Sequence, residues 1–377
     1  MSERRPLALV TGGAGLIGSH VADLFLAEGW AVRVLDNLEP TTHRGRVPDW
    51  IDPRVDLRRA DVRDVGAVRD ALEGVEVVLH QAAYGGYMPE IAKFISVNSL
   101  GTAQLLETIR DECLPVRKVV VASSQAVYRE GAGRCAAHGR VFPEGRAPER
   151  LAAGRFAPTC PVCGADVAPV PTPEEAPSGG DNVYAISKVD QERLTLAWAR
   201  QTGIPAVALR YACTYGPRQS LLNPYTGLIA IFATRLVNGL PPVLYEDGEQ
   251  TRDLVFVEDV ARANLLAVTS DALDGRAVNI GSGRATSVRA IARLVGEALG
   301  IDAEPDVPGE FRPGEMRHLI SDIALARSAG YAPSVRLEDG IGRYLDWVRS
   351  QGDVAEYFEA AARGLRARGI VQAVGRG

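Results

Sequence analysis

Leu7-Ala8-Leu9-Val10-Thr11-Gly12-Gly13-Ala14-Gly15-Leu16-Ile17-Gly18 is the stretch whose reading decides the fold. Leu7 to Val10 is an apolar run too short for a helix, and glycines follow it at once. Ser19 to Glu28 then carries an amphipathic helical pattern, and Ala31 to Leu35 reads as a second strand ending at Asp36. Strand, glycine turn, helix and acid fall in the order that a dinucleotide site requires. The glycines let the backbone approach a pyrophosphate, which rests on the helix N-terminus. Asp36, 18 residues past Gly18, is placed to accept hydrogen bonds from an adenosine ribose and would repel a 2′-phosphate, so NAD is favoured over NADP. Arg33 and Arg44 argue the other way, because a nearby arginine can accommodate that phosphate.

Strands and helices alternate onward from this unit. Val55 to Val62 reads as a strand reaching Asp61, Val75 to Leu79 as one ending in His80-Gln81-Ala82-Ala83, and Lys118 to Ala122 as one ending in Ser123-Ser124. Asn98 to Arg110 and Tyr184 to Arg200 read as long amphipathic helices, and Ala206–Leu209, Leu254–Val257 and Ala277–Ile280 as later strands. In open parallel sheets, ligands gather at the carboxyl ends of strands. The expected cofactor contacts in the glycine turn and at these ends are Gly12, Gly15, Leu16, Ile17, Gly18, Asp36, Asn37, Asp61, Val62, Ala82 and Ala83.

Tyr184-Ala-Ile-Ser-Lys188 adds chemistry to this frame. Four residues apart on a helix, Tyr184 and Lys188 share a face. An ammonium beside a phenol favours the phenolate, so Tyr184 is expected to act as a base near neutral pH, with Ser124 beside it. Only three lysines, Lys93, Lys118 and Lys188, occur in 377 residues, so a lysine at this spacing is poorly explained as background.

The composition is that of a soluble enzyme. Net charge is −5, and no basic stretch interleaved with aromatics points to nucleic acid. No apolar run approaches a membrane span, and Met1 to Gly18 lacks the apolar core of a secretion signal, so a cytoplasmic location without membrane partners is expected.

In combination these motifs resemble the extended short-chain dehydrogenase/reductases, in their nucleotide-sugar epimerase/dehydratase branch. The likeness covers roughly residues 6 to 350 and extends to Arg210-Tyr-Ala-Cys-Thr-Tyr-Gly-Pro-Arg-Gln219, Asp247-Gly-Glu-Gln-Thr-Arg-Asp253, Asn279-Ile-Gly-Ser-Gly283 and Arg312-Pro-Gly-Glu315. It implies an α/β fold: a doubly wound parallel (Rossmann) sheet with a smaller C-terminal substrate domain. The NAD domain is expected in 1–128, 178–214 and 252–280, the nucleotide-sugar domain in 215–251 and 281–350, and a helix with a fraying tail in 351–377. The resemblance gives Ser124, Tyr184 and Lys188 catalytic roles and adds Asn98 and Lys188, on the two long helices, to the cofactor contacts. It gives Tyr84, Cys213, Asn223, Arg252 and Arg312 contacts to the nucleotide sugar, with the two arginines on its diphosphate. It also implies a homodimer formed through the helices at Asn98 and Tyr184. Dehydratases of the branch carry an acidic pair after the catalytic serine or threonine; here Gln125-Ala126 offers no acid. What remains suits removal and return of hydride at C4. A narrower likeness, in 122–131, 223–227 and 246–253, is to the dTDP-L-rhamnose 4-epimerases, although Cys213 stands where the family usually has a diphosphate-contacting asparagine. A 4-ketosugar reductase or dehydratase of the same scaffold is the alternative, and a non-catalytic NAD sensor a more distant one.

Residues 129–177 look inserted, because the family usually connects Tyr128 to the catalytic tyrosine in about half this length. They hold Cys135-Ala-Ala-His138 and Cys160-Pro-Val-Cys163. Two pairs with two-residue spacers form a tetrahedral zinc pattern, here a structural zinc knuckle with Cys135, His138, Cys160 and Cys163 as ligands. The segment is poor in large apolar residues, so a metal would supply the staple, and it is expected to wall or cover the sugar pocket.

Overall fold

In the computed structural model, residues 5–86, 90–221, 227–352 and 354–375 are described. Seven strands build the central sheet: Leu7–Thr11 (β1), Ala31–Asp36 (β2), Asp56–Arg59 (β3), Val77–His80 (β4), Lys118–Ser124 (β5), Ala206–Tyr211 (β6) and Ala277–Ile280 (β7). Their spatial order is β7-β6-β5-β4-β1-β2-β3, and every pairing is parallel. The order reverses between β1 and β4, which opens a crevice at their carboxyl ends.

The helices Leu16–Ala27 (α1), Val65–Leu72 (α2), Gly101–Asp111 (α3), Val183–Thr202 (α4) and Val257–Thr269 (α5) cover both faces. The pleat alone sorts the core, since neighbouring strand residues point to opposite sides. Ala8 and Val10 of β1 pack with Phe25 of α1 and Val260 of α5, whereas Leu9 packs with Leu72, Leu105 and Trp198. Being buried on both faces, the interior strands β1, β4, β5 and β6 are largely apolar, whereas the edge strand β3 is charged and partly exposed.

A third apolar cluster gathers Phe232, Leu244, Phe256, Ile291, Val295, Tyr344 and Leu345, with Leu16 and Ile17 of α1 packed against it. Apolar packing thus reaches directly from the glycine turn to the C-terminal elements.

Beyond residue 350 the structure corrects the expectation of a fraying tail. Helix Phe358–Ala367 buries Phe358, Ala361, Ala362 and Leu365. Gln372–Ala373 then pairs antiparallel with Glu310–Phe311, and the Gly375 amide donates to the Ala152 carbonyl at 2.8 Å. The expected helix is present, and only the tail after it differs, being paired rather than frayed.

The segment 129–177 forms a small sheet, with Ala132–Cys135 flanked antiparallel by Gly139–Val141 and Ala168–Val170. Its own apolar cluster consists of Val141 and Val167 with the thiols Cys135 and Cys160. The Thr172 amide donates to the Ile320 carbonyl at 2.8 Å, tying its end to the C-terminal half. No residue of 129–177 is among the described residues lining the cleft at the β1/β4 crevice. The segment instead contacts Glu246, Glu315 and Arg317.

Among the described residues, no helix is long and apolar enough to cross a membrane.

Candidate active site

The crevice is a cleft of about 440 Å³. It is lined at one end by Asp36, Asn37, Asp61 and Val62, in the middle by Gly12, Gly15, Leu16, Ile17, Gly18, Ala82 and Ala83, and at the other end by Tyr84, Ser124, Tyr184 and Lys188.

Close packing explains two of the glycines. Gly12 has φ +67°, and a Cβ there would lie 2.7 Å from the Ala82 amide nitrogen. A Cβ on Gly18 would meet the Gly12 carbonyl oxygen at 2.2 Å, so α1 crosses the turn only because that position is bare. Gly15 is the N-cap of α1 and offers no side-chain cap, so the first amides of the helix face the cleft as an anion site. The donor set and the bare approach fit a dinucleotide pyrophosphate.

Asp36 is buried, its Oδ2 accepting from the Ala14 amide at 2.9 Å and its Oδ1 from the Leu38 amide at 2.8 Å. It thereby locks the glycine turn to β2 at one end of the cleft. Asp61 accepts from Asn37 at 2.9 Å and from Arg63, whose guanidinium holds the carboxyl down at about 2. Arg33, a candidate for holding a 2′-phosphate, donates instead to Asp56 at 2.7 Å and to the carbonyls of Ala71 and Glu73.

Tyr184 projects from the first turn of α4, whose N-cap Asn182 accepts from the Ala185 amide at 2.9 Å. Its phenol and Ser124, at the end of β5, both line the cleft. Burial is the larger influence and pushes the phenol up, while Ser124 pulls it down. Lys188 donates to the Ala122 carbonyl and to Gln191 Oε1, both at 2.8 Å. Burial lowers its ammonium to about 7. The expectation of a direct ammonium–phenol pair is therefore corrected: the lysine is held by a carbonyl and an amide, and burial governs the tyrosine.

Behind Lys188 lies a network that sequence reading missed. Gln191 Nε2 donates to Thr102 Oγ1 at 2.8 Å, and Thr102 and Thr11 bracket the His80 ring at 2.9 and 2.7 Å. Thr11 in turn accepts from the Ala82 amide at 3.2 Å. Burial, then the Lys188 charge, drives His80 to about 3, so the ring is neutral. The spacing of Lys188 and Gln191, three apart on one helix, was the available signal.

Asn98 does not line the cleft. It is fully buried in the single π-helical turn Ile95–Leu100, accepting from the Tyr84 amide at 2.7 Å and donating to the Tyr84 carbonyl and to Ser187 Oγ. It thus fastens the Tyr84 strand-end to α4 rather than facing a cofactor. Tyr84 itself lines the cleft and donates to Glu90 at 3.0 Å.

On the C-terminal side, Arg252 donates to Glu315 Oε1 at 2.7 Å and to the Arg317 carbonyl at 3.1 Å. Arg312 approaches Glu315 Oε2 at 3.7 Å and stacks over Tyr245 with 4.5 Å to the ring centre. The two arginines predicted to act together therefore share one carboxylate. Burial pushes the Glu315 carboxyl up, but the charges of Arg312 and Arg252 outweigh it and hold the group below its usual range. Asp253 is buried next to Arg252 and accepts from the Ser282 and Gly283 amides, which the Asn279–Gly283 motif supplies, and from the Ser321 amide. Cys213 accepts from Gln125 Nε2 at 3.3 Å, off the cleft lining. Asn223 lies outside the described residues.

Cys135, His138, Cys160 and Cys163 converge, with their ligand atoms all within 4.8 Å of one another. His138 Nδ1 is 3.5 Å from the sulfurs of both Cys135 and Cys160, and the Cys135 and Cys163 sulfurs are 3.7 Å apart. The His138 contact, then the Ala137 and His138 amides, lowers Cys135 to about 6.

The family model described as the NAD dependent epimerase/dehydratase family matches residues 8–141 and 154–281. The dTDP-L-rhamnose 4-epimerase of Burkholderia thailandensis is 34% identical over 92% of this chain and 95% of its own length. Among solved structures, a UDP-glucose 4-epimerase of Thermotoga maritima, determined with UDP-glucose, superposes with a TM-score of 0.75 at 30% identity, over 92% of this chain and all of that one. The UDP-glucose 4-epimerase of Thermus thermophilus, determined with NAD, gives 0.72 at 32% identity, over 91% and 99%. With its dinucleotide crevice and its Ser124–Tyr184 pair beside Lys188, the chain belongs to the NAD-dependent epimerase/dehydratase family of extended short-chain dehydrogenase/reductases and is an NAD-dependent epimerase.

Proposed function

We propose that the protein is a nucleotide-sugar 4-epimerase acting on a dTDP-6-deoxyhexose, with dTDP-L-rhamnose as the leading substrate. The observation that carries the reaction type is the meeting of Tyr184, Ser124 and Lys188 on one cleft wall, with Gln125 and Ala126 next to Ser124 in sequence. Among the described lining residues the carboxylates are Asp36, Glu39 and Asp61, which come from the end of β2 and from the segments that follow β2 and β3. No carboxylate there accompanies Tyr184 to expel a hydroxyl, as dehydration requires. The substrate guess is supported by the likeness to the Burkholderia enzyme.

Bound NAD supplies the acceptor and later the donor of hydride. Tyr184 takes the proton from the C4 hydroxyl, and Ser124 donates a hydrogen bond to that oxygen as charge develops on it. Burial of the phenol means that a neighbouring positive charge is needed for it to ionise, and Lys188, fixed by Ala122 and Gln191, is the protein's contribution. Arg252 and Arg312 hold the diphosphate while the 4-keto sugar turns to present its other face.

Proton NMR with dTDP-L-rhamnose and NAD in D2O tests the reading. New sugar signals without ring deuterium are expected, since hydride leaves and returns internally. Unchanged signals, with conversion of UDP-glucose in the same conditions, would transfer the reading to UDP-hexoses. Inertness toward both would end it. Tyr184→Phe is expected to lower turnover about a thousandfold with NAD still bound.

The Cys135/His138/Cys160/Cys163 cluster is proposed as a structural zinc site. Zinc bonds of about 2.3 Å to sulfur and 2.0–2.1 Å to nitrogen give tetrahedral edges of about 3.7 Å and 3.5 Å. The observed separations of 3.7 Å and 3.5 Å match them. Four protein ligands leave no open position, so the metal holds structure. Metal analysis should find about one zinc per chain, and absence of zinc from chelator-free preparations would remove the site. Thiolate ligands need reduced cysteines, so we place the chain in the cytoplasm. Exposed Ile91, Ile95 and Leu100, with Ile186 and Leu194 of α4, support a homodimer built on these helices.

A further inference from the structure

We propose that the inserted segment 129–177 braces the diphosphate clamp from outside the cleft, and that Arg146 is the positioning residue that connects the two. The inference rests on the reading of Arg252 and Arg312 as the diphosphate ligands.

Arg146 lies in the loop closed by the two proposed metal-ligand pairs, between His138 and Cys160. Its side chain is 2% exposed, yet it has four acceptors around it. Nε donates to Glu130 at 2.8 Å, and Nη1 to Glu246 at 2.8 Å and to the Phe156 carbonyl at 3.1 Å. Nη2 donates to the Glu315 carbonyl at 2.6 Å. The carboxylate of the same Glu315 holds Arg252 and faces Arg312. Two residues on, the Arg317 amide donates to Glu130 Oε2 at 2.9 Å, and the Arg317 carbonyl accepts from Arg252 at 3.1 Å. Arg317 completes the cluster by donating to Glu246 at 2.6 Å and Asp247 at 2.8 Å.

The insertion therefore grips the backbone of Glu315 and Arg317 with a buried acid and a buried arginine, and that backbone seats Arg252. A planar guanidinium with four acceptors fixed around it cannot rotate without stranding buried carboxylates, so its position is set by where the loop is held. The metal cluster closes that loop. Loss of the metal should consequently loosen Glu315, and with it the geometry of the two clamp arginines, while the glycine turn and Asp36 on the sheet are unaffected.

The test compares wild type, Arg146→Lys, Arg146→Met and chelator-stripped wild type by calorimetric titration with dTDP and, separately, with NAD. Affinity for dTDP should fall about tenfold to a hundredfold in Arg146→Met and in the stripped protein, and less in Arg146→Lys, with NAD affinity within about twofold of wild type. If Arg146→Met does not fold, Cys163→Ser, at an exposed ligand, serves in its place. Unchanged dTDP affinity in both the variant and the stripped protein overturns the proposal, as does an equal loss of NAD and dTDP binding, which marks a purely structural role. A wild type that binds NAD but neither dTDP nor UDP overturns the clamp reading itself, and the brace with it.

Discussion

The ammonium of Lys188 donates to Gln191 Oε1 at 2.8 Å, and Gln191 passes the contact on to Thr102, beside His80. The Gln191 amide is one of two neutral acceptors, with the Ala122 carbonyl, of a charge that burial has brought down to about 7.

Gln191→Leu removes that acceptor, so the lysine should lose its proton at still lower pH. The expected result is about a tenfold fall in turnover at neutral pH. The alkaline limb of the pH–rate profile should move to lower pH. Gln191→Glu, which substitutes a negative charge, should move the same limb upward. A profile that stays in place in both variants would show that the Lys188 charge is not controlled from this side.

Lys188 also gives the empty protein a pH signature. Its pKa falls from 10.5 unfolded to about 7 folded, so between these values the unfolded chain binds the extra proton. Stability should rise with pH across that window, because burying the ammonium costs most below pH 7. Urea unfolding of wild type and Lys188→Met at several pH values reads this directly, and the slope should be smaller in Lys188→Met. Parallel curves would mean that Lys188 keeps an ordinary pKa.

Much of this was legible from particular residues. Leu7 to Gly18 and Asp36 announced the sheet and its crevice, because a turn so tight needs glycine and a doubly buried strand is apolar throughout. Tyr184, Lys188 and Ser124 were legible through spacing and strand-end position. Gln191, Thr102 and His80 were not, since a polar residue on an interior helix face looks like any other until the neighbouring strand is in place. Asn98 was misread as facing the cofactor because a motif shows which residue matters and not which way a π-turn aims it. Arg146 was lost among 39 arginines, and only burial singles it out.

Phe358 tests the corrected view of the C-terminus. It is buried on the docked helix, and the Arg235 guanidinium lies 5.2 Å from its ring centre while also pairing with Glu359 at 2.8 Å. Phe358→Ala should lower unfolding free energy by about 3 kcal/mol, with turnover at saturating substrate retained. A loss under about 0.5 kcal/mol, typical of surface positions, would restore the picture of a frayed end.

Asp36 carries the choice of dinucleotide. Its two oxygens are engaged by the Ala14 and Leu38 amides, and each retains a lone pair for a ribose hydroxyl. Hydrogen bonds to a charged acceptor contribute about 1.5–3 kcal/mol each, so Asp36→Ala should weaken NAD binding by about ten- to a hundredfold. Removing the carboxylate also removes its repulsion of a 2′-phosphate, and Arg63, paired to Asp61 at 2.8 Å, is near enough in the chain to leave the ribose end of the cleft less negative. NADP should therefore lose less than NAD, and the preference of roughly a hundredfold or more for NAD in wild type should narrow to about tenfold or less. Fluorescence titration of both dinucleotides against wild type and Asp36→Ala measures all four affinities. Equal losses for the two cofactors would show that Asp36 acts only as the latch of the glycine turn, and that discrimination lies elsewhere in the cleft.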